Sequence, residues 1–243
     1  MSNFPQVLWL NVSPSLQRFH QPLLRHLSSQ FTVACWDYCQ TPDEACSLET
    51  AITLLHDYLK ICDQPLHLIG HGTGGLLALL YSRRYPDYVK TLSLLSVGVH
   101  PAVDWQAHYY VHRQLLSCKQ EAILAQMTPY LFGEQTQLST RRLVRVLKRD
   151  LENSLSPHSL FRRVSIAAGN VAVPLMVCGG EVDIVVDPNQ LYGWQDYLKT
   201  EDRLWICPDG CHFFDFSYPE LVATKLIEFW TSVLSNHFSL INF

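Results

Sequence analysis

The stretch Leu66-His67-Leu68-Ile69-Gly70-His71-Gly72-Thr73-Gly74-Gly75-Leu76-Leu77-Ala78-Leu79-Leu80 constrains this chain more than any other. An apolar run stops at a glycine cluster and restarts as an apolar run of helical length. That pattern predicts a buried strand, a very sharp turn and a buried helix. Gly70 and Gly74 flank a central position with the spacing small–x–centre–x–small. This is the spacing of a turn that lifts a nucleophile above the end of a sheet. The central residue is Gly72, which has no side chain. The bend is written in the sequence and the attacking group is missing.

Around this stretch, strand-like and helix-like runs alternate. Strands are expected at Val7–Leu10, Phe31–Trp36, Leu66–Ile69, Thr91–Ser96, Val173–Cys178 and Arg203–Cys207. Helices are expected over 16–27, 47–60, 76–85, 189–198 and 219–234, with a polar, Pro-containing loop over 37–45 and a tail from Ser235 to Phe243. Alternation of this kind implies right-handed crossovers and a parallel sheet covered by helices on both faces. The near-continuous apolar strands fit burial on both sides. From Pro101 to about Arg163 no strand pattern is found, only helical patterns broken by Pro129, Gly133 and Pro157. This segment, about 101–165, is read as a helical lid inserted where ligands bind at the carboxyl ends of the strands. No repeat or linker divides the chain, so residues 1–243 are expected to form a single domain with that lid.

Composition narrows the function. The chain has 243 residues, 48% of them hydrophobic, enough for one sizeable core. A net charge of -4 gives no global attraction to nucleic acid. No apolar run approaches the roughly 18 residues of a membrane span, and the N-terminus lacks the basic flank of a signal peptide. Of the eight cysteines, Cys35, Cys178 and Cys207 lie in apolar strand-like runs, where cysteine acts as a small hydrophobe. A chain this long does not need disulfide staples, so reduced thiols and a cytoplasmic setting are expected.

Three loops after strand ends carry polar groups in a telling order: Gly70-His71-Gly72-Thr73-Gly74, then Gly180-Glu181-Val182-Asp183, then Gly210-Cys211-His212-Phe213. Nucleophile, acid, histidine is the chain order of the Ser–Asp–His triad on α/β-hydrolase sheets. From Val7 to Trp230 the sequence resembles the α/β-hydrolase fold superfamily, and most of all its short, cofactor-free members with a helical cap. The resemblance implies an α/β-hydrolase fold with a mostly parallel sheet of at least six strands. It implies that Asp183 orients His212, that His212 is the general base and that position 72 is the nucleophile's place. It also implies that the backbone N–H groups of Thr73 and Ser13 form the oxyanion hole. The chemistry suits those roles, because a neutral imidazole needs a carboxylate on one nitrogen to leave the other as acceptor. Asp183 is preferred over Glu181 and Asp187 by its distance from the strand end.

The chain departs from that pattern in two places. Gly72 removes the usual acyl-enzyme chemistry. Asn11-Val12-Ser13 stands where relatives have a His-Gly turn, and Val12 lacks glycine's conformational range. Ser13 as a relocated nucleophile is weaker than Ser13 in a simple Ser-Pro turn.

Asn11, His71, Trp105 and Tyr109 are candidate pocket residues, and the aromatic run Trp105–Tyr110 either lines an apolar pocket or packs the lid onto the core. The basic helix Arg141–Arg149 either meets an anionic surface or acidic partner or is a solvated face, the simpler reading. Cys207–His212 lacks a second pair of ligands, so no metal is expected, and no cofactor.

Three functions follow. The first is a hydrolase lineage acting on an ester, thioester or similar acyl substrate with an apolar moiety, inactive as it stands or an inactivated variant. The second is a non-catalytic ligand-binding or assembly protein. The third, weaker, is a nucleophile-free enzyme using His212 and Asp183 as a general base.

Overall fold

The six strand patterns each become a strand in the computed structural model, which describes residues 4–39 and 43–240. They are β1 (Val7–Asn11), β2 (Val33–Asp37), β3 (Leu66–His71), β4 (Val89–Leu95), β5 (Leu175–Gly180) and β6 (Arg203–Cys207). All pairings are parallel, in the order β2-β1-β3-β4-β5-β6. Parts of two expected segments, the loop at 37–45 and the tail after Ser235, fall on residues 40–42 and 241–243, outside the described residues.

The period of two within each strand builds two cores. Val7 and Trp9 of β1 pack with Ile69, Leu95 and Cys178 against α1 (Gln17–Leu27) and α9 (Pro219–Leu240). Leu8 and Leu10 pack with Leu68, Leu94 and Val177 against α2 (Leu48–Leu59) and α3 (Thr73–Arg84). Both faces of the sheet are covered, as a parallel sheet requires. β2 is one of the two edge strands, with β6 at the other side, and Cys35 on β2 is exposed rather than buried. The apolar run signalled a strand but could not say which strand would lie outermost.

Between β4 and β5 stand α4 (Trp105–Leu115), α5 (Gln120–Phe132) and α6 (Gln137–Asn153), with no strand between them among the described residues. Asp104 and Thr136 start α4 and α6 by accepting from Ala107 N and Ser139 N, satisfying N–H groups the helix leaves open. Ile123, Leu124, Leu131 and Leu147 are fully buried in the same cluster as Leu94 and Leu77, so these helices share the core of the sheet.

Three boundaries differ from expectation. α3 starts at Thr73, directly after Gly72, so the turn is a single residue. The helix expected over 189–198 is α7 (Pro188–Tyr192) followed by a 3-10 turn at Gly193–Asp196. α9 runs on to Leu240, where a tail was expected from Ser235. A short helix, α8 (Phe214–Ser217), follows His212.

Candidate active site

Gly72 joins β3 to α3 with φ 52° and ψ −122°. A left-handed φ favours glycine. The flanking glycines are held by space instead. A Cβ on Gly70 would lie 2.5 Å from the Gly74 carbonyl carbon, and one on Gly74 would lie 2.4 Å from the Leu10 oxygen. A Cβ on Gly72 would meet nothing within 4 Å. The bend therefore needs its outer glycines, while its apex has room for a side chain.

The loops after β5 and β6 bring Asp183 and His212 together. His212 Nδ1 lies 2.9 Å from Asp183 Oδ2. The other carboxylate oxygen accepts from Val185 N at 2.8 Å and Val186 N at 3.1 Å. Burial alone would raise the Asp183 pKa, but the His212 ring and these two N–H groups outweigh it and hold the carboxyl below its ordinary value. An ionised carboxylate only accepts, so Nδ1–H is the donor of this bond, and in the neutral tautomer that the bond selects Nε2 is the lone-pair acceptor. The backbone anchors the loop as well: the His212 carbonyl accepts from Ser96 Oγ at 2.8 Å and His71 Nε2 at 2.9 Å. His212 Nε2 is buried and has no hydrogen-bond partner. A buried polar atom left unsatisfied costs about 1–3 kcal/mol.

A cavity closes over this point, lined by Asn11, Ser13, His20, His71, Gly72, Thr73, Trp105 and His212 among others. It offers the centre of a water molecule about 20 Å³, room for about one water. Thr73 and Gly74 line it, and their N–H groups open α3, among those a helix leaves without an internal partner.

The other expected site residues divide. His71 and Trp105 line the cavity. Tyr109 does not; its ring is buried in the core beside Tyr110, 5.2 Å away. Asn11 lines the cavity but is tied up, donating to Asp37 Oδ1 at 2.6 Å and accepting from Ser13 N at 3.2 Å. The Ser13 N–H expected in an oxyanion hole is thus engaged by the Asn11 side chain, an Asx turn that Asn favours. The Ser13 hydroxyl also acts on the buried Asp150 carboxyl, lowering its pKa, which argues against a relocated nucleophile.

Sequence reasoning missed a second buried imidazole–carboxylate pair. His20 Nδ1 lies 2.6 Å from Asp215 Oδ2, and His71 Nε2 lies 4.0 Å from Asp215 Oδ1. Burial works to raise the Asp215 pKa, but His20 and His71 hold it down. Burial drives His71 down to about 3, so its ring is neutral. Its plane stacks on Phe213 at 4.7 Å. His20 and Asp215 are separated by 195 positions, and the only signal was a polar residue on the buried side of an amphipathic helix. His108, on α4, was likewise hidden in an aromatic run; burial and then the His212 ring lower its pKa. Among the described residues, no group of three or more His, Cys, Asp or Glu is arranged to hold a metal ion. No described helix is long and apolar enough to cross a membrane.

The parallel sheet and its one-residue elbow define a protein of the α/β-hydrolase fold. Solved structures agree. A bacterial membrane phospholipase A superposes with TM-score 0.70 at 19% identity, covering 93% of this chain and 78% of that one. Naproxen esterase of Bacillus subtilis gives 0.70 at 15%, covering 94% and 84%. A meta-cleavage product hydrolase of Pseudomonas fluorescens gives 0.70 at 14%, covering 93% and 90%. No family model matches the chain. In sequence it is 47% identical over 227 residues to an uncharacterized protein of Synechocystis, covering 93% of this chain and 90% of that one. It is 46% identical over 230 residues to one of Nostoc, covering 95% and 92%. The chain belongs to the family of these two cyanobacterial proteins.

Proposed function

We propose that this chain is of hydrolase lineage. It keeps the acid and base of an acyl hydrolase for substrates with an apolar moiety, and it does not turn over through an acyl-enzyme because position 72 supplies no nucleophile. The supporting observation is the His212 ring, bonded to Asp183 on one nitrogen and buried without a partner on the other, beside an apex with open space. In this reading Thr73 N–H serves the oxyanion, and α4–α6 act as the lid of a single domain. Losing a triad member leaves about 10³–10⁴-fold catalysis over water at best.

The test is Gly72→Ser assayed on a panel of p-nitrophenyl acyl esters and thioesters. Hydrolysis, with covalent labelling of the new serine by a fluorophosphonate, is the expected result, and His212→Ala in the same background abolishes both. A folded Gly72→Ser protein that is inert to the esters and to the fluorophosphonate ends the proposal.

A second reading draws on the size of the cavity. Space for about one water beside an unpartnered Nε2 suits a general base that activates water directly. Hydrolysis by the unaltered chain that disappears in His212→Ala would favour it. Saturable binding of an apolar ligand without turnover would instead point to a non-catalytic role.

A further inference from the structure

The basic helix α6 is not evenly exposed. Leu143, Val144 and Leu147 are buried in the core, while Arg142, Arg145 and Arg149 follow at i, i+3 and i+7, one exposed stripe of the helix. This stripe does not face open solvent alone. Arg18, in the first turn of α1, lines the same groove, together with the half-buried Val146. An adjoining groove shares Arg18, Val146 and Arg149 and extends to Pro14, Ser15, Gln17 and Gln21. Each holds about 330 Å³. No acidic residue lines either one.

Two features set this apart from a solvated helix face. The exposed cations around it that have carboxylate partners are elsewhere: Lys148, on the same helix, pairs with Glu121 at 3.0 Å. No ion pair is found for the four groove arginines among the described residues. α1 also starts here without an acidic residue in its first turn and without a side-chain cap, so its positive end adds to the same field. Arginines from two separate elements line one groove without counter-charge, the Arg18 guanidinium lying over the Phe19 ring; planar guanidinium forks so placed match a group with several anionic oxygens.

We propose that this groove is a binding site for a phosphate-bearing ligand, held by Arg18 from α1 and by Arg142, Arg145 and Arg149 from α6. Loop 13–15 runs from the cavity at Gly72, which Ser13 lines, to the groove, which Pro14 and Ser15 line. A bound phosphate therefore sits against the same loop that walls the candidate active site. The site does not depend on the reading of residue 72, and a silent Gly72→Ser variant leaves it untouched.

Titration of the full chain with inorganic pyrophosphate, followed by calorimetry, tests the site for a soluble ligand. Co-sedimentation with phosphatidylcholine vesicles, with and without phosphatidylglycerol, tests it for a lipid headgroup. Saturable binding that weakens as salt rises is expected in one arm, and the arm that responds names the source. Arg145→Gln with Arg149→Gln should weaken binding about tenfold or more, while the melting temperature stays unchanged. The single change Lys148→Gln, outside the groove linings, should leave affinity intact. Absence of binding in both arms overturns the site. So does a double arginine variant that binds as tightly as the unaltered chain, or a Lys148→Gln loss equal to that of the double variant.

Discussion

Thr73 Oγ1 donates a 2.8 Å hydrogen bond to Asp104 Oδ2, and the other oxygen of that buried carboxylate caps α4 through Ala107 N at 2.8 Å. One side chain thus ties the elbow to the first helix of the segment between β4 and β5. Removing it deletes a cap, about 1 kcal/mol, and leaves the half-buried Thr73 hydroxyl without its acceptor, up to about 3 kcal/mol. Asp104→Ala is expected to lower unfolding free energy by about 2–4 kcal/mol in urea. Asp104→Asn keeps an acceptor oxygen and should lose less. Equal losses for the two variants would contradict this division of labour.

Substitutions at two glycines of the elbow should separate strain from space. Gly72→Ala meets only the left-handed φ, a cost of about 1–3 kcal/mol. Gly70→Ala would drive a Cβ into the backbone of α3, which no side-chain rotation relieves. The expected order of melting temperature is wild type, then Gly72→Ala, then Gly70→Ala far below. Gly72→Ala melting as low as Gly70→Ala would show that the apex is not open.

Much of this was legible because parallel strands buried on both faces are written as unbroken apolar runs. Val7–Leu10 and Leu66–Ile69 could be placed from composition alone. The elbow was legible because Gly70 and Gly74 are forced by backbone contact, and contacts of that kind leave a fixed spacing. Asp183 and His212 were legible through their position after strand ends. What depended on distant partners was not. Nothing local marks Asp215 as the partner of His20, or Asp37 as the acceptor that holds the Asn11 amide. Tyr109 illustrates the same limit: an aromatic run shows that rings will be buried, and only the packing of α4 decides which of them reaches the cavity.

Phe132 closes α5 against the loop that carries His212. Its ring stacks on Phe213 at 4.5 Å with planes 3° apart, and Phe213 N donates to the neighbouring Leu131 carbonyl at 2.9 Å. Phe132→Ala should cost about 3–5 kcal/mol. If ester hydrolysis is obtained with Gly72→Ser, adding Phe132→Leu should lower kcat more than it raises KM, because the base is displaced and not the binding surface. A pure KM effect would place Phe132 against substrate instead.

Asp150 gives the fold an uncommon response to pH. Burial pushes its carboxyl from 3.8 up to about 7, against the opposing hydrogen bonds of Ser154, Gln106 and Ser13. Between those two values the folded chain holds a proton that the unfolded chain has released. The native state therefore binds more protons, and stability falls as pH rises through about 4 to 7. His67 and His71 act the other way, since burial lowers both to about 3. Their unfolded forms take up protons below 6.5, so their contribution is lost as pH falls from there toward 3. Asp150→Asn removes the first effect and leaves the second. The hydroxyls of Ser13 and Ser154 can rotate to accept from the new amide. The variant should match wild type near pH 4 and exceed it at pH 8 by an amount on the order of a few kcal/mol, read from urea unfolding midpoints at each pH. A variant less stable than wild type at pH 8 would mean that the ionised carboxylate is the form this cluster is built to hold.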